Sequence, residues 1–151
     1  MLETLDNAKD ELKRADHLVY VSLKYTRTTE VIKSVIERLV NAFDLGVDAL
    51  LEKALKEKKV EAIPVAHTIR CDEILKLYET DAMKDYINLY KILRKILKTK
   101  FIPKHEFRRN VAMIVLFEGD KILDVNMDTL NEYFNKVKQF IEFVEEQASE
   151  K

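Results

Sequence analysis

The stretch HEFRRNVAMIVLFEGDKILDVN, residues 105 to 126, places two arginines and an asparagine directly before seven consecutive apolar residues. Arg108 and Arg109 are suited to anion binding, because a guanidinium presents paired N–H donors to phosphate oxygens. Asn110, His105 and Lys104 extend the same candidate cluster, and lysines further upstream such as Lys91, Lys95 and Lys98 could enlarge it. The plainer reading is a set of ordinary charges ahead of a hairpin and along a solvated helix face.

Other chemistry-bearing residues form less complete patterns. His67 and Cys71 are four apart and would share a face if their helix began early, but two ligands fall short of the three or four of a zinc site. No metal is expected. Cys71 lacks a recognisable histidine and acid partner, so the sequence favours an inert, partly buried thiol. Glycines occur only at positions 46 and 119, which leaves no phosphate-cradling glycine loop, and no cofactor is expected. Glu37, Asp44 and Asp48 have no histidine in register and read as the solvated face of a helix.

These residues must be held by a single domain. A chain of 151 residues buries roughly 70 % of its unfolded surface. With 35 % charged and 47 % hydrophobic residues, it is neither disordered nor membrane-like in composition. A lone cysteine and a charged N-terminal segment point to the cytoplasm. No apolar run approaches the ~20 residues of a membrane span, so no membrane partner is expected. The net charge of −1 gives no general attraction to nucleic acid. Charge is nonetheless uneven: residues 84 to 109 hold nine Lys or Arg against two acids, whereas 120 to 151 hold four Lys against eight acids.

Two glycines and two prolines leave long uninterrupted segments. Leu5, Ala8, Leu12, Ala15 and Val19 recur at helical spacing and predict a first helix over about 2–25. Its end is ambiguous, since Val19, Val21, Leu23 and Tyr25 also alternate as in a strand. TRTT at 26–29 offers caps for a second helix. That helix carries two apolar stripes, Ile32, Ile36, Leu39, Phe43, Val47, Leu50 and Ala54 beside Val31, Val35, Ala42, Leu45 and Ala49. Gly46 within it would permit a close helix neighbour. A third helix opens at CDEILKLYE, breaks near residues 79–81 and resumes to Pro103. The last begins at Asp128, a plausible cap. VAMIVLF, EGDK and ILDVN predict a β-hairpin, with a short buried helix at 106–117 as the alternative. Arg108, Arg109 and Asn110 would then sit at the hairpin's base, turned out of the preceding helix. The expected fold is mostly α, a four-to-five-helix bundle with a small β-hairpin at about 111–126. Doubled stripes on the second and third helices exceed what one neighbour covers and suggest a homo-oligomer.

The stretches LKRADHLVYVSLKYTRTTEVIKSVIERLVNAFDLGVDALLEKAL and YINLYKILRKILK, with EFRRNV and DTLNEYFNKVKQFIEFVEE, resemble the HEPN superfamily. The resemblance implies a helical bundle, frequent dimerisation and, in active members, a metal-independent ribonuclease site. That site uses an Arg, often followed by Asn, with a His after four to six intervening residues. Arg109 and Asn110 match the first half, but Ile114, Val115 and Leu116 stand where the histidine should be. Met113, Ile114 and Val115 stand there relative to Arg108. Losing the imidazole removes a proton-transfer role worth roughly 10²–10⁴ in rate. The expectation is therefore a non-catalytic HEPN-like scaffold or interaction domain, or alternatively an RNA- or nucleotide-binding protein using Arg108, Arg109 and Asn110, with a protein partner also open. A divergent metal-independent ribonuclease is the least favoured reading.

Overall fold

The computed structural model describes residues 1–150. Its first helix, α1 (Leu2–His17), continues through a π-helical turn at Leu18–Ser22 into a final α-turn at Leu23–Tyr25. The π-turn falls where the sequence pattern is ambiguous between helix and strand. Val19, Tyr20 and Val21 are β-branched or aromatic and hold an α-helix weakly. An unbroken run to Tyr25 is thus observed, but with a widened turn inside it.

The central element is α2 (Thr29–Lys56), which packs against α1, α4 (Asp81–Leu97) and α5 (Met127–Ser149). Thr28 caps it by accepting a hydrogen bond from the Val31 N–H at 3.4 Å. Both apolar stripes of α2 are covered within the chain: Ile32, Ile36, Phe43 and Leu50 are buried, and so are Val35, Ala42 and Ala49. On α4, Leu89 and Ile96 of the second stripe are buried and Ile92 is exposed. Most of the stripe residues that suggested a homo-oligomer are thus covered within one copy, while Ile92 is exposed and Val31 and Leu45 are half-buried.

Gly46 does permit a close neighbour. A Cβ there would stand 2.6 Å from Phe140 Cε2 and 3.1 Å from Ile141 Cδ1, so α5 lies directly on the α2 backbone. Phe43 stacks against Tyr90 of α4 at 4.9 Å and meets Phe140 at 4.8 Å, tying three helices at one level. Tyr90 belongs to this core.

The expected third helix is two helices. One is α3 (His67–Leu77), and the other is α4, started by Thr80, whose hydroxyl accepts from the Met83 N–H at 3.1 Å. The helix begins at His67, four residues before the expected start. Pro103 does not close α4, which ends at Leu97. It lies in β1 (Phe101–Lys104), a short edge strand where a residue without an N–H is tolerated. The expected hairpin is present as β2 (Ala112–Leu116) and β3 (Ile122–Val125), with the turn residues Gly119 and Asp120 at positive φ. β1 pairs antiparallel with β2, Lys104 opposite Ala112 and Phe101 opposite Val115, completing a three-stranded sheet in the order β1-β2-β3. Val111, Met113, Val115 and Val125 bury its inner face against the helices. The cap of α5 is Asn126 instead of Asp128; its side chain accepts from the Thr129 N–H at 2.9 Å. Among the described residues no helix is long and apolar enough to cross a membrane.

Candidate functional site

The residues singled out at Lys104–Asn110 connect β1 to β2. They do not leave a helix, and their geometry is set by two non-glycine residues at positive φ, His105 at 54° and Phe107 at 67°. Such backbone typically costs about 1–3 kcal/mol per residue and persists when surrounding contacts enforce it. Those contacts come from the corner between α1 and α2. The Phe107 N–H donates to the Arg27 carbonyl at 2.6 Å, and the Thr29 hydroxyl donates to Glu106 Oε1 at 3.0 Å. Thr29 is buried, so the one carboxylate of the loop is turned inward. Phe107 is left 75 % exposed at the loop tip, and Tyr25, two residues before its backbone partner, is 80 % exposed. Among the described residues Lys24, Arg27, Arg108 and Arg109 form no ion pair.

Arg108 and Arg109 part company. Arg109 lines a cleft of about 370 Å³ with Lys104, His105, Asn110, Ala112, Asp124, Asn126, Met127 and Asp128, whereas Arg108 lies outside it. Asp124 and Asp128 balance Lys104 and Arg109, so this cleft carries little net charge. Ile114, Val115 and Leu116, at the positions where a HEPN-type histidine would follow Arg109, are residues of β2.

A second cluster joins His67 and Cys71 to residues of α2 and α4. Glu37 is exposed as expected, but Asp44 and Asp48 are half-buried and engaged: Tyr90 donates to Asp44 Oδ1, Arg94 Nη1 stands 3.3 Å from the same oxygen, and Arg70 pairs with Asp48. Arg70 also donates from Nε to the Pro64 carbonyl at 2.6 Å. The early start of α3 turns His67 and Cys71 onto one face. His67 Nδ1 stands 3.3 Å from Tyr90 Oη, and Nε2 stands 3.8 Å from Cys71 Sγ.

Donor and acceptor roles follow from the carboxylate at the end of this chain. Ionised Asp44 can only accept, which commits the Tyr90 proton to it. Tyr90 Oη then accepts from His67 Nδ1–H, and bare Nε2 faces the Cys71 thiol as acceptor. The histidine is neutral in this arrangement. Burial, then the nearby Arg94 charge, hold its pKa below the ordinary 6.5, against the opposing pull of Asp44. Burial also raises the Cys71 thiol and, with the Asp44 hydrogen bond, the Tyr90 hydroxyl. Burial outweighs the Arg70 charge and raises Asp48. A thiol pushed upward and fully covered is a poor nucleophile. The four side chains form a satisfied polar strut joining α2, α3 and α4. Among the described residues no third His, Cys, Asp or Glu joins His67 and Cys71 to form a potential metal cluster.

The depressed His67 pKa sets a pH dependence. Protonation is favoured in the unfolded chain, so the contribution of neutral His67 is fully present above pH 6.5 and is lost as pH falls through that value toward the folded pKa. Asp44, Arg94, Lys98 and Arg70 are the charges that bear on it. Urea unfolding followed between pH 7.5 and 5 is expected to give a shallower acid-side loss for His67→Gln than for the parent. Equal slopes would remove His67 as its source.

Lys95 of α4 lies toward the end of β2 away from the loop. Lys95 stands with its Nζ 4.8 Å from the centre of the Phe117 ring, just past the end of β2, while the loop lies at the start of β2. Four residue steps of strand separate the two ends by roughly 13 Å. No family model matches the chain, and neither a curated protein nor a solved structure matches it.

Proposed function

We propose that the chain is a non-catalytic, HEPN-like helical module that binds single-stranded RNA on the corner formed by residues 24–27 and the β1–β2 loop. The observation that carries this reading is the docking of the loop by the Phe107 N–H to Arg27 carbonyl bond. That bond joins the segment carrying the exposed Phe107 ring and Arg108 to the segment carrying Arg27 and the exposed Tyr25 ring, with Glu106 turned inward. Rings with free faces and cations without carboxylate partners are what an unstacked base and its phosphate require. Sequence-tolerant binding is expected, since every base offers a stacking face. RNA is expected to remain intact, because the positions downstream of Arg108 and Arg109 carry no proton-transfer group.

Phe107→Ala tests the stacking role. Its side chain makes little of the core, so the fold is expected to be retained, while affinity for a fluorescent oligouridylate falls about tenfold, near the lower end of base–aromatic stacking. Full retention of affinity would remove Phe107 from the site, and RNA cleavage that disappears in Arg109→Ala would overturn the non-catalytic reading.

A further inference from the structure

Lys91, Arg94, Lys95 and Lys98 follow one another at steps of three, one and three, so they share a face of α4 and its C-terminal end. Together with His67 they line a depression of about 250 Å³ between α3 and α4. Arg94 is held by Asp44, but among the described residues Lys91, Lys95 and Lys98 form no ion pair. Both ring nitrogens of His67 are occupied by Tyr90 and Cys71, so the histidine serves as a fixed, uncharged wall.

We propose that this depression is a binding site for the phosphate group of a small phosphate monoester, separate from the RNA corner and not dependent on it. Three ammonium groups in excess of the local carboxylates converge on one concavity, which suits a compact dianion better than an extended backbone. Lysine supplies a flexible point charge that can meet a tetrahedral group from several sides. Lys95 is drawn toward the Phe117 ring, which places one of the three charges at the sheet side of the depression. The Asp44–Tyr90–His67 strut fixes the floor, so an incoming phosphate displaces no internal hydrogen bond.

The test is an NMR titration of the full chain with inorganic phosphate and, separately, with glycerol 3-phosphate, following the His67 ring signals. Either dianion is expected to shift those signals saturably and to raise the His67 pKa, since a negative charge close by favours the imidazolium. Tighter binding of the monoester would identify an esterified ligand, and equal binding would identify the phosphate group as the whole determinant; both support the site. Lys95→Glu/Lys98→Glu is expected to weaken the response by about tenfold or more, whereas Lys138→Glu, a charge reversal on an exposed part of α5, leaves it intact. The proposal is overturned if neither dianion moves the His67 signals up to about 10 mM. It is also overturned if only RNA moves them, or if Lys138→Glu weakens the response as much as the double variant.

Discussion

Gly46→Val is expected to destabilise the fold by about 3 kcal/mol, the upper end of the usual range for forcing extra atoms into a packed interior. The first added carbon alone meets Phe140 Cε2 at 2.6 Å and Ile141 Cδ1 at 3.1 Å, and valine adds two methyls beyond it. Phe140 cannot swing aside freely, because its ring is buried against both Phe43 and Tyr86. Relief must come from moving α5 away from α2, which loosens the level where three helices meet. Glycine is itself the poorer helix former by about 1 kcal/mol relative to alanine, so propensity works in the opposite direction and a net loss isolates the packing effect. In a domain of this size 1 kcal/mol corresponds to roughly 2–4 °C, so thermal unfolding should move down by about 6–12 °C. Phe140→Leu in the same chain should make the pair less destabilised than the two single changes added together, because the smaller side chain returns the space valine needs. Simple additivity, or an unchanged melting temperature, would contradict the close approach of α2 and α5.

The helices are legible in the sequence because each buries a stripe at helical spacing: Ile32, Ile36, Leu39 and Phe43 along α2, or Leu130, Phe134, Val137 and Phe140 along α5. Gly46 is legible for the same reason, a glycine inside a pattern that penalises it. β1 is not. Only Phe101 of its four residues is partly covered, it contains Pro103, and its pairing with β2 is a tertiary event that no local alternation announces. The His67–Tyr90–Asp44 strut joins positions 67, 90 and 44 on three helices, and its recognition depends on α3 beginning at His67. Asp44 and Asp48 read as solvent-facing in the sequence because helical periodicity identifies a polar face without telling whether a neighbour supplies a tyrosine and two arginines to it. The candidate loop was legible as composition, RRN beside His105 and Lys104. The parting of Arg108 from Arg109 occurs in a loop with positive φ at His105 and Phe107, a backbone turn that composition does not announce.

That divergence sharpens the RNA reading into unequal roles for the arginines. Arg27 and Arg108 sit on the two segments joined by the Phe107–Arg27 hydrogen bond and form no ion pair, whereas Arg109 shares a cleft with Asp124 and Asp128. Arg27→Ala/Arg108→Ala is therefore expected to weaken oligouridylate binding by about 30- to 150-fold at low salt, taking each charged contact at roughly 1–1.5 kcal/mol. Arg109→Ala alone should cost about threefold or less, since the carboxylates around it already compete for its charge. Arg108 and Arg109 are exposed, Arg27 is half-buried, and none of the three belongs to the hydrophobic core, so the fold is expected to be retained. The direct test is the dependence of oligouridylate affinity on salt, measured for the parent and the double variant. Each phosphate contact to a single strand adds about −0.7 to the slope of log affinity against log salt, so removing Arg27 and Arg108 should flatten that slope by about 1.4. An unchanged slope and affinity in Arg27→Ala/Arg108→Ala would contradict the binding corner.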